Sequence, residues 1–299
     1  MNKKFLKIIL INILILIILF VCLESYFYAK TYTFFKNNMG GLIVKYTLKK
    51  DSFEHKFDNE ITEVMRKPVG LNYKKKPILF LGCSYVFGVL LDEENTISSQ
   101  ISKKTKRPVY NWGYPAWGIQ HAYYMIDKMP KIEPDPEYIF YIHIKDHMRR
   151  MYENLKFDDD AEYLQYKIKN GKLERIDNRY NLFDNSHFLS MLKRNFFDYY
   201  ATSKKSLKYF LSYACCLQNE IREKYPNSKF VIIIYDCMSE EFIKELKKNN
   251  INVFYLKDIK DFNYDDEKYK LSKEVDYFRH PNEKAWDVVS DAIIKEYHL

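Results

Sequence analysis

The sequence predicts an α/β protein: a parallel sheet of about five strands, covered by helices on both faces and preceded by one membrane-spanning helix. Three observations carry that prediction. Five short runs are continuously apolar, as strands buried on both faces must be. Segments with apolar residues at helical spacing separate them. The first thirty residues contain an apolar run of bilayer length.

Composition sets the outer bounds. Apolar residues make up 47% of the 299 and charged residues 29%, a balance that excludes disorder as the main character of the chain. Lys and Arg number 48 against 40 Asp and Glu, and the resulting +8 is spread along the sequence. No basic block marks a nucleic-acid partner. The five cysteines, Cys22, Cys83, Cys215, Cys216 and Cys237, form no CxxC pair, so neither a zinc site nor a disulfide framework is indicated.

Residues 1–30 read as the anchor. Phe5 to Leu23 is broken only by Lys7 and Asn12, and at 1.5 Å per residue it spans about 28 Å. Lys3 and Lys4 before the run and Glu24 after it favour an inside N-terminus, with the rest of the chain on the outer side. A cleaved signal peptide is the competing reading. Glu24 to Ala29 offers it no small-x-small pair, and Val21 is not the small residue that a lipid-attached Cys22 would follow. Residues 31–75 lack clear periodicity and read as a connecting segment, leaving 76–299 as the globular domain.

Within that domain the strands are Pro77–Leu81, Pro108–Asn111, Tyr138–Ile142, Lys229–Tyr235 and Asn252–Leu256. Helical spacing places Ile97 and Ile101 in one helix and Ile119 to Met129 in a second. Leu207, Phe210, Leu211, Ala214, Leu217 and Ile221 fall in a third, Phe242, Ile243 and Leu246 in a fourth, and Ala285 to Ile293 in the last. Between the third and fourth strands the chain is too long for an ordinary loop. This insertion, around 151–200, contains Asn170-Gly171, the preferred turn of a two-residue hairpin.

Chemistry in an open parallel sheet sits beyond the carboxyl ends of the strands. Gly82-Cys83-Ser84-Tyr85-Val86-Phe87-Gly88 follows the first strand, and Asn111-Trp112-Gly113-Tyr114-Pro115-Ala116-Trp117-Gly118 the second. His143-Ile144-Lys145-Asp146-His147-Met148-Arg149-Arg150 follows the third, and Asp276 to Asn282 precedes the last helix. The first segment resembles the opening block of the SGNH/GDSL hydrolase superfamily, usually Gly-Asp-Ser. Asn111–Gly118 is similar to the second block, and His280-Pro281-Asn282 to the last. The likeness covers 77–298 apart from most of the insertion, and is greatest to the membrane-anchored, extracytoplasmic bacterial branch.

The resemblance implies a three-layer, flavodoxin-like α/β/α fold and acyl transfer through a serine ester, without a metal or other cofactor. Ser84 becomes the nucleophile, His280 the base and Asp276 the acid that orients it. The backbone N–H groups of Ser84 and Ala116 become oxyanion donors. Ala116 stands where the family usually has Gly. In the third block the family commonly has Asn, and this chain has Lys145, with Arg149 as a second candidate. The acid usually lies two or three residues before the histidine, whereas Asp276 lies four before.

Each residue also has a plainer reading. Trp112 and Trp117 flank the proposed site and stack on a sugar or pack in the core; Gly113, Trp117 and Arg149 are the candidate substrate contacts. His147, Arg149 and Arg150 line the mouth for an anionic substrate or form a solvated basic loop. His143 and His147 straddle a strand end, where a spacing of four does not bring side chains onto one face, which weighs against a metal pair. The reading is a membrane-anchored esterase or O-acyltransferase acting on short acyl esters, acetyl above all, of cell-envelope glycans. Two rivals stay open: a non-catalytic binding or assembly protein with the same fold, and a lipid-directed esterase with the insertion as its lid.

Overall fold

The computed structural model of the chain describes residues 3–38, 52–57, 61–151, 166–169, 172–175, 204–236, 238–273, 276 and 279–299. Helix α1 (Lys3–Asn38) contains Ile9–Ala29, a stretch long and apolar enough to cross a membrane. Leu14, Ile15, Leu16 and Ile17 project to successive sides of it, and all are exposed. A helix that is apolar all round has no wet face to offer, so it calls for apolar surroundings on every side.

Next come β1 (Ser52–Phe57) and β2 (Ile61–Arg66), an antiparallel pair inside the stretch that the sequence reads as a connector. Neither strand alternates apolar with polar residues, so periodicity does not reveal them. Just beyond, Val69 pairs with Val109 through two backbone hydrogen bonds of 3.0 and 2.9 Å, which seats this segment on the edge of the main sheet.

The main sheet is built from β3 (Ile78–Gly82), β4 (Val109–Gly113), β5 (Tyr138–His143), β8 (Lys229–Ile234) and β9 (Asn252–Tyr255). Its order is β4-β3-β5-β8-β9, parallel throughout. Counting only these five in chain order gives 2-1-3-4-5, the doubly wound arrangement in which connections from β3 and β4 leave on opposite sides. Between β5 and β8 lie β6 (Tyr166–Lys169) and β7 (Lys172–Arg175), paired antiparallel about the Asn-Gly expected to turn there. Asn170 and Gly171 themselves, and most of 151–200, lie outside the described residues.

Helices cover both faces. They are α2 (Ser84–Phe87), α3 (Ile97–Thr105), α4 (Ile119–Lys128), α5 (Asp146–Arg150), α6 (Lys204–Lys224), α7 (Glu240–Lys248) and α8 (Glu283–Tyr297). Alternate strand residues feed two separate cores, as the pleat requires. Leu79, Leu81, Ile139, Tyr141, Ile232 and Ile234 pack with Ile126 of α4, Phe210 and Leu217 of α6, and Phe242 of α7. Ile78, Phe80, Phe140, Ile142, Val231 and Ile233 face Ile101 of α3 and Trp286 and Val289 of α8. Each such side chain, fully buried, contributes about 1.5–3 kcal/mol, and strands buried on both faces draw on that twice.

Helix ends are fixed by side chains. Thr96, Ser239 and Asn282 accept hydrogen bonds from the amides of Ser99, Phe242 and Ala285, capping α3, α7 and α8. The last of these matters most for the site, because Asn282 sets where α8 begins, two residues after His280.

Candidate active site

The crevice outside the carboxyl end of β3 is where the topology opens, since β4 and β5 flank β3 through crossovers of opposite sense. Ser84 stands there as the first residue of the four-residue helix α2. Gly88 closes the helix at φ 73°, and its N–H bonds the Ser84 and Tyr85 carbonyls. A left-handed residue at this point favours glycine. Being first in the helix, the Ser84 N–H has no intrahelical acceptor.

His280 reaches Ser84 from the other end of the sequence. Its Nε2 lies 2.8 Å from Ser84 Oγ and its Nδ1 2.7 Å from Asp276 Oδ2. The same carboxylate oxygen accepts the His280 backbone N–H at 2.5 Å. An ionised carboxylate only accepts, so the ring proton sits on Nδ1 and Nε2 is left to take the serine's. The four-residue spacing closes because Arg279 turns left-handed at φ 57°. Its guanidinium pairs with Glu267, and Leu271 N–H binds the His280 carbonyl at 2.9 Å. Ser84, Asp276 and His280 are 7, 6 and 9% exposed, dry enough for these contacts to be strong yet open to a reactant. The Tyr85 ring meets the imidazole edge-on at 5.3 Å.

The loop after β4 is stitched to this turn. Asn111 Nδ2 donates to the Val86 carbonyl at 2.7 Å, and its Oδ1 accepts the Gly113 amide at 3.1 Å. A Cβ on Gly113 would lie 2.6 Å from Val86 Cβ and 2.7 Å from the Phe87 nitrogen. Gly113 therefore seats α2, and its amide is committed to Asn111. Ala116 is exposed and left-handed at φ 66°. That conformation explains why glycine suits the position, and in alanine it stores about 1–2 kcal/mol. Trp117 is 6% exposed and stacks on His121, with ring centroids 5.4 Å apart and 9° between planes. It is a core residue of this loop rather than a stacking surface. Trp112 is likewise buried in the core.

The loop after β5 departs most from expectation. Lys145 is exposed, and its backbone N–H lies 2.8 and 2.7 Å from the two oxygens of Asp236 beyond β8. Burial pushes the Asp236 carboxyl up to about 6, against the pull of that amide. The Arg149 side chain lies outside those described. Arg150 is the half-buried cation among the described side chains of this loop. Its Nε and Nη2 each lie 2.7 Å from Asp146 Oδ2, and Nη1 donates to the Trp117 carbonyl at 2.7 Å. Cys83 neighbours the guanidinium closely enough to act on its charge. Burial opposes the guanidinium's charge, but Asp146 and Cys83 outweigh it and hold the pKa above its usual value. The legible sign of this pairing was the i, i+4 spacing of Asp146 and Arg150.

His143 and His147 do meet, contrary to expectation. Their ring centroids are 5.4 Å apart, because β5 ends at His143 and α5 folds straight back over it. His147 Nδ1 lies 2.6 Å from the Tyr141 hydroxyl, while both His143 nitrogens and His147 Nε2 have no hydrogen-bond partner among the described residues. Burial drives His143 down to about 3 and depresses His147, so both are neutral. Among the described residues no group of three or more His, Cys, Asp or Glu is arranged to hold a metal.

No family model and no curated protein matches the sequence. Solved structures similar to the chain include a member of the lipolytic protein G-D-S-L family from Veillonella parvula, 11% identical with a TM-score of 0.43, covering 74% of this chain and 97% of that one. An acetyl xylan esterase from the rumen bacterium Butyrivibrio proteoclasticus is 12% identical at 0.43, covering 81% and 66%. A carbohydrate esterase family 2 enzyme with a carbohydrate-binding domain from Corynascus thermopiles is 11% identical at 0.41, covering 80% and 71%. The chemistry of the site rests on its own geometry.

Proposed function

We propose that this chain is a membrane-anchored serine esterase or O-acyltransferase of the SGNH/GDSL type. The observation that carries the reading is the unbroken relay Asp276–His280–Ser84, with contacts of 2.7 and 2.8 Å. Ser84 Oγ attacks the ester carbonyl as His280 Nε2 takes its proton, and Asp276 stabilises the imidazolium that forms. The tetrahedral oxyanion falls to the Ser84 and Ala116 amides. His280 then protonates the leaving alcohol, and an acyl-serine remains. Attack by water makes the chain an esterase; attack by another hydroxyl makes it an acyltransferase.

A short acyl group, acetyl first, on a cell-envelope glycan is the substrate class. Its support is location: Ile9–Ala29 holds the domain at a bilayer, and Lys3 and Lys4 favour the outer side for the domain. A relay aligned across two segments far apart in sequence favours this reading over a non-catalytic scaffold, for which neither contact has a use.

The test is p-nitrophenyl acetate hydrolysis by the full chain in detergent, beside Ser84→Ala and with fluorophosphonate labelling of both. Loss of at least about a thousandfold in rate, together with loss of label, is expected, given what a serine triad contributes. Equal rates and equal labelling in the two proteins would sink the proposal.

A further inference from the structure

We propose that Arg150 is the positioning residue of this acyl-transfer site: its guanidinium ties the loops after β4 and β5 together beside the Ser84 turn, so that the Ser84 and Ala116 amides converge on one point. This rests on the serine-hydrolase reading above. The family pattern leads one to expect a side-chain donor in the loop after β5, and the obvious cation there, Lys145, is exposed with its backbone tied to Asp236 instead. The cation that packs inward at that level is the half-buried Arg150. Its acceptors are Asp146 in its own helix and the Trp117 carbonyl directly after Ala116, and Cys83, directly before Ser84, is its near neighbour. The Ala116 amide thus belongs to a residue adjacent to a group that Arg150 holds, and the Ser84 amide to one adjacent to a group that it neighbours.

Three further contacts define how it acts. Gln120 Nε2 donates to the Arg150 carbonyl at 2.9 Å, which fixes the end of α5 against α4. The Gly118 backbone approaches Arg150 so closely that a Cβ there would lie 3.4 Å from Arg150 Cβ, so α5 and the loop after β4 are already in contact. Ala116 sits in a left-handed conformation that alanine does not favour, and the residue after it is fixed twice, its N–H on the Tyr114 carbonyl at 3.2 Å and its carbonyl on Arg150 Nη1. Asp146 neutralises the guanidinium, so what Arg150 supplies is geometry more than field. A planar fork with donors aimed in two directions does this; an ammonium does not.

The test uses the full chain in detergent, with kcat and KM for p-nitrophenyl acetate expressed per fluorophosphonate-reactive site. Arg150→Ala should lose about 10- to 100-fold in kcat with KM within about twofold, the scale of a small misplacement of catalytic groups. Added methylguanidinium should restore part of that rate in a saturable way. Arg150→Lys keeps the stem and the charge but not the fork, and should stay at least about tenfold down; it also decides the matter if the alanine variant does not fold. Either variant at the wild-type kcat per reactive site overturns the assignment, as does full rescue by lysine. A wild-type chain inert to both ester and fluorophosphonate overturns the hydrolase reading and this assignment with it, whereas an active wild type matched by Arg150→Ala overturns the assignment alone.

Discussion

The turn after β3 and the loop after β5 stand side by side at the same sheet edge, held by opposite means. The first is fixed by backbone: a left-handed Gly88, a Gly113 with no room for a side chain, and amide-to-carbonyl bonds through Asn111. Its side-chain clamp acts mainly on backbone: Arg66 reaches from β2 to the Phe87, Gly88 and Leu91 carbonyls at 2.5, 2.9 and 2.8 Å, and pairs with Glu93 at 2.9 Å. The second loop is fixed by charge, through Asp236 to the Lys145 amide and Asp146 to Arg150. A backbone device tolerates no added atom and answers weakly to pH. A charge device tolerates reshaping but follows the protonation of its members. Ser84, the proposed nucleophile, lies in the first, and Arg150, its proposed support, in the second.

The sharpest way to break the first device is Gly113→Ala. Its methyl would need to occupy space 2.6 Å from Val86 Cβ and 2.7 Å from a backbone nitrogen, so α2 must move. Overpacking of this kind costs about 1–3 kcal/mol, and a displaced Ser84 should lose at least about tenfold in kcat. Thermal melts and p-nitrophenyl acetate kinetics check both; an unchanged melt with unchanged kcat would mean that the turn is softer than its contacts indicate.

That contrast also governs how much the sequence reveals. Scarce glycines, a run of apolar residues and a serine just beyond it are local, and they were enough to place β3, Ser84 and the five-strand parallel sheet. His280 was legible because a Pro-Asn pair and an amphipathic helix follow it. Arg150 was not separated from Arg149, because neighbouring arginines differ only in which way α5 turns them, and that depends on Asp146 and the Trp117 carbonyl together. Lys145 looked like the donor because its charge is visible in sequence, whereas the bond from its amide to Asp236 joins residues 91 apart. The pair β1–β2 escaped notice for a similar reason: its two strands carry no period and are defined by each other.

The second device should show itself in pH dependence through Asp236→Asn. Two opposing effects set the wild-type behaviour. His121 and His143, depressed to about 3 by burial, and His147, depressed likewise, lend stability that is complete above the unfolded imidazole value near 6.5. It is lost as pH falls from there. Asp236, raised to about 6 by burial, works the other way. Its charged form is penalised above pH 6, and that penalty is lifted between about 6 and 4, where the unfolded carboxyl titrates. The wild-type melting temperature should therefore fall on acidification from pH 7 to 4.5, and that of Asp236→Asn should fall more steeply, having lost the compensating term. Parallel pH profiles for the two proteins would show that Asp236 is not the raised group.

Ala116→Gly carries the smallest expected effect and sits where the two devices meet. Relief of the left-handed strain is worth about 1–2 kcal/mol, and the extra freedom of glycine in the unfolded chain takes back about 0.4–1 kcal/mol. Glycine should thus stabilise by between about zero and 1.6 kcal/mol. The rate is more informative than the melt. If the Trp117 carbonyl, held by Arg150, fixes the Ala116 amide, then removing the methyl leaves that amide in place and kcat stays within about twofold. If the methyl itself keeps the loop from opening, glycine lets the amide wander and kcat falls by about tenfold or more. Combining Ala116→Gly with Arg150→Ala separates these cases: independent losses would multiply, whereas a loop held chiefly by Arg150 would show the glycine's penalty only once the arginine is gone.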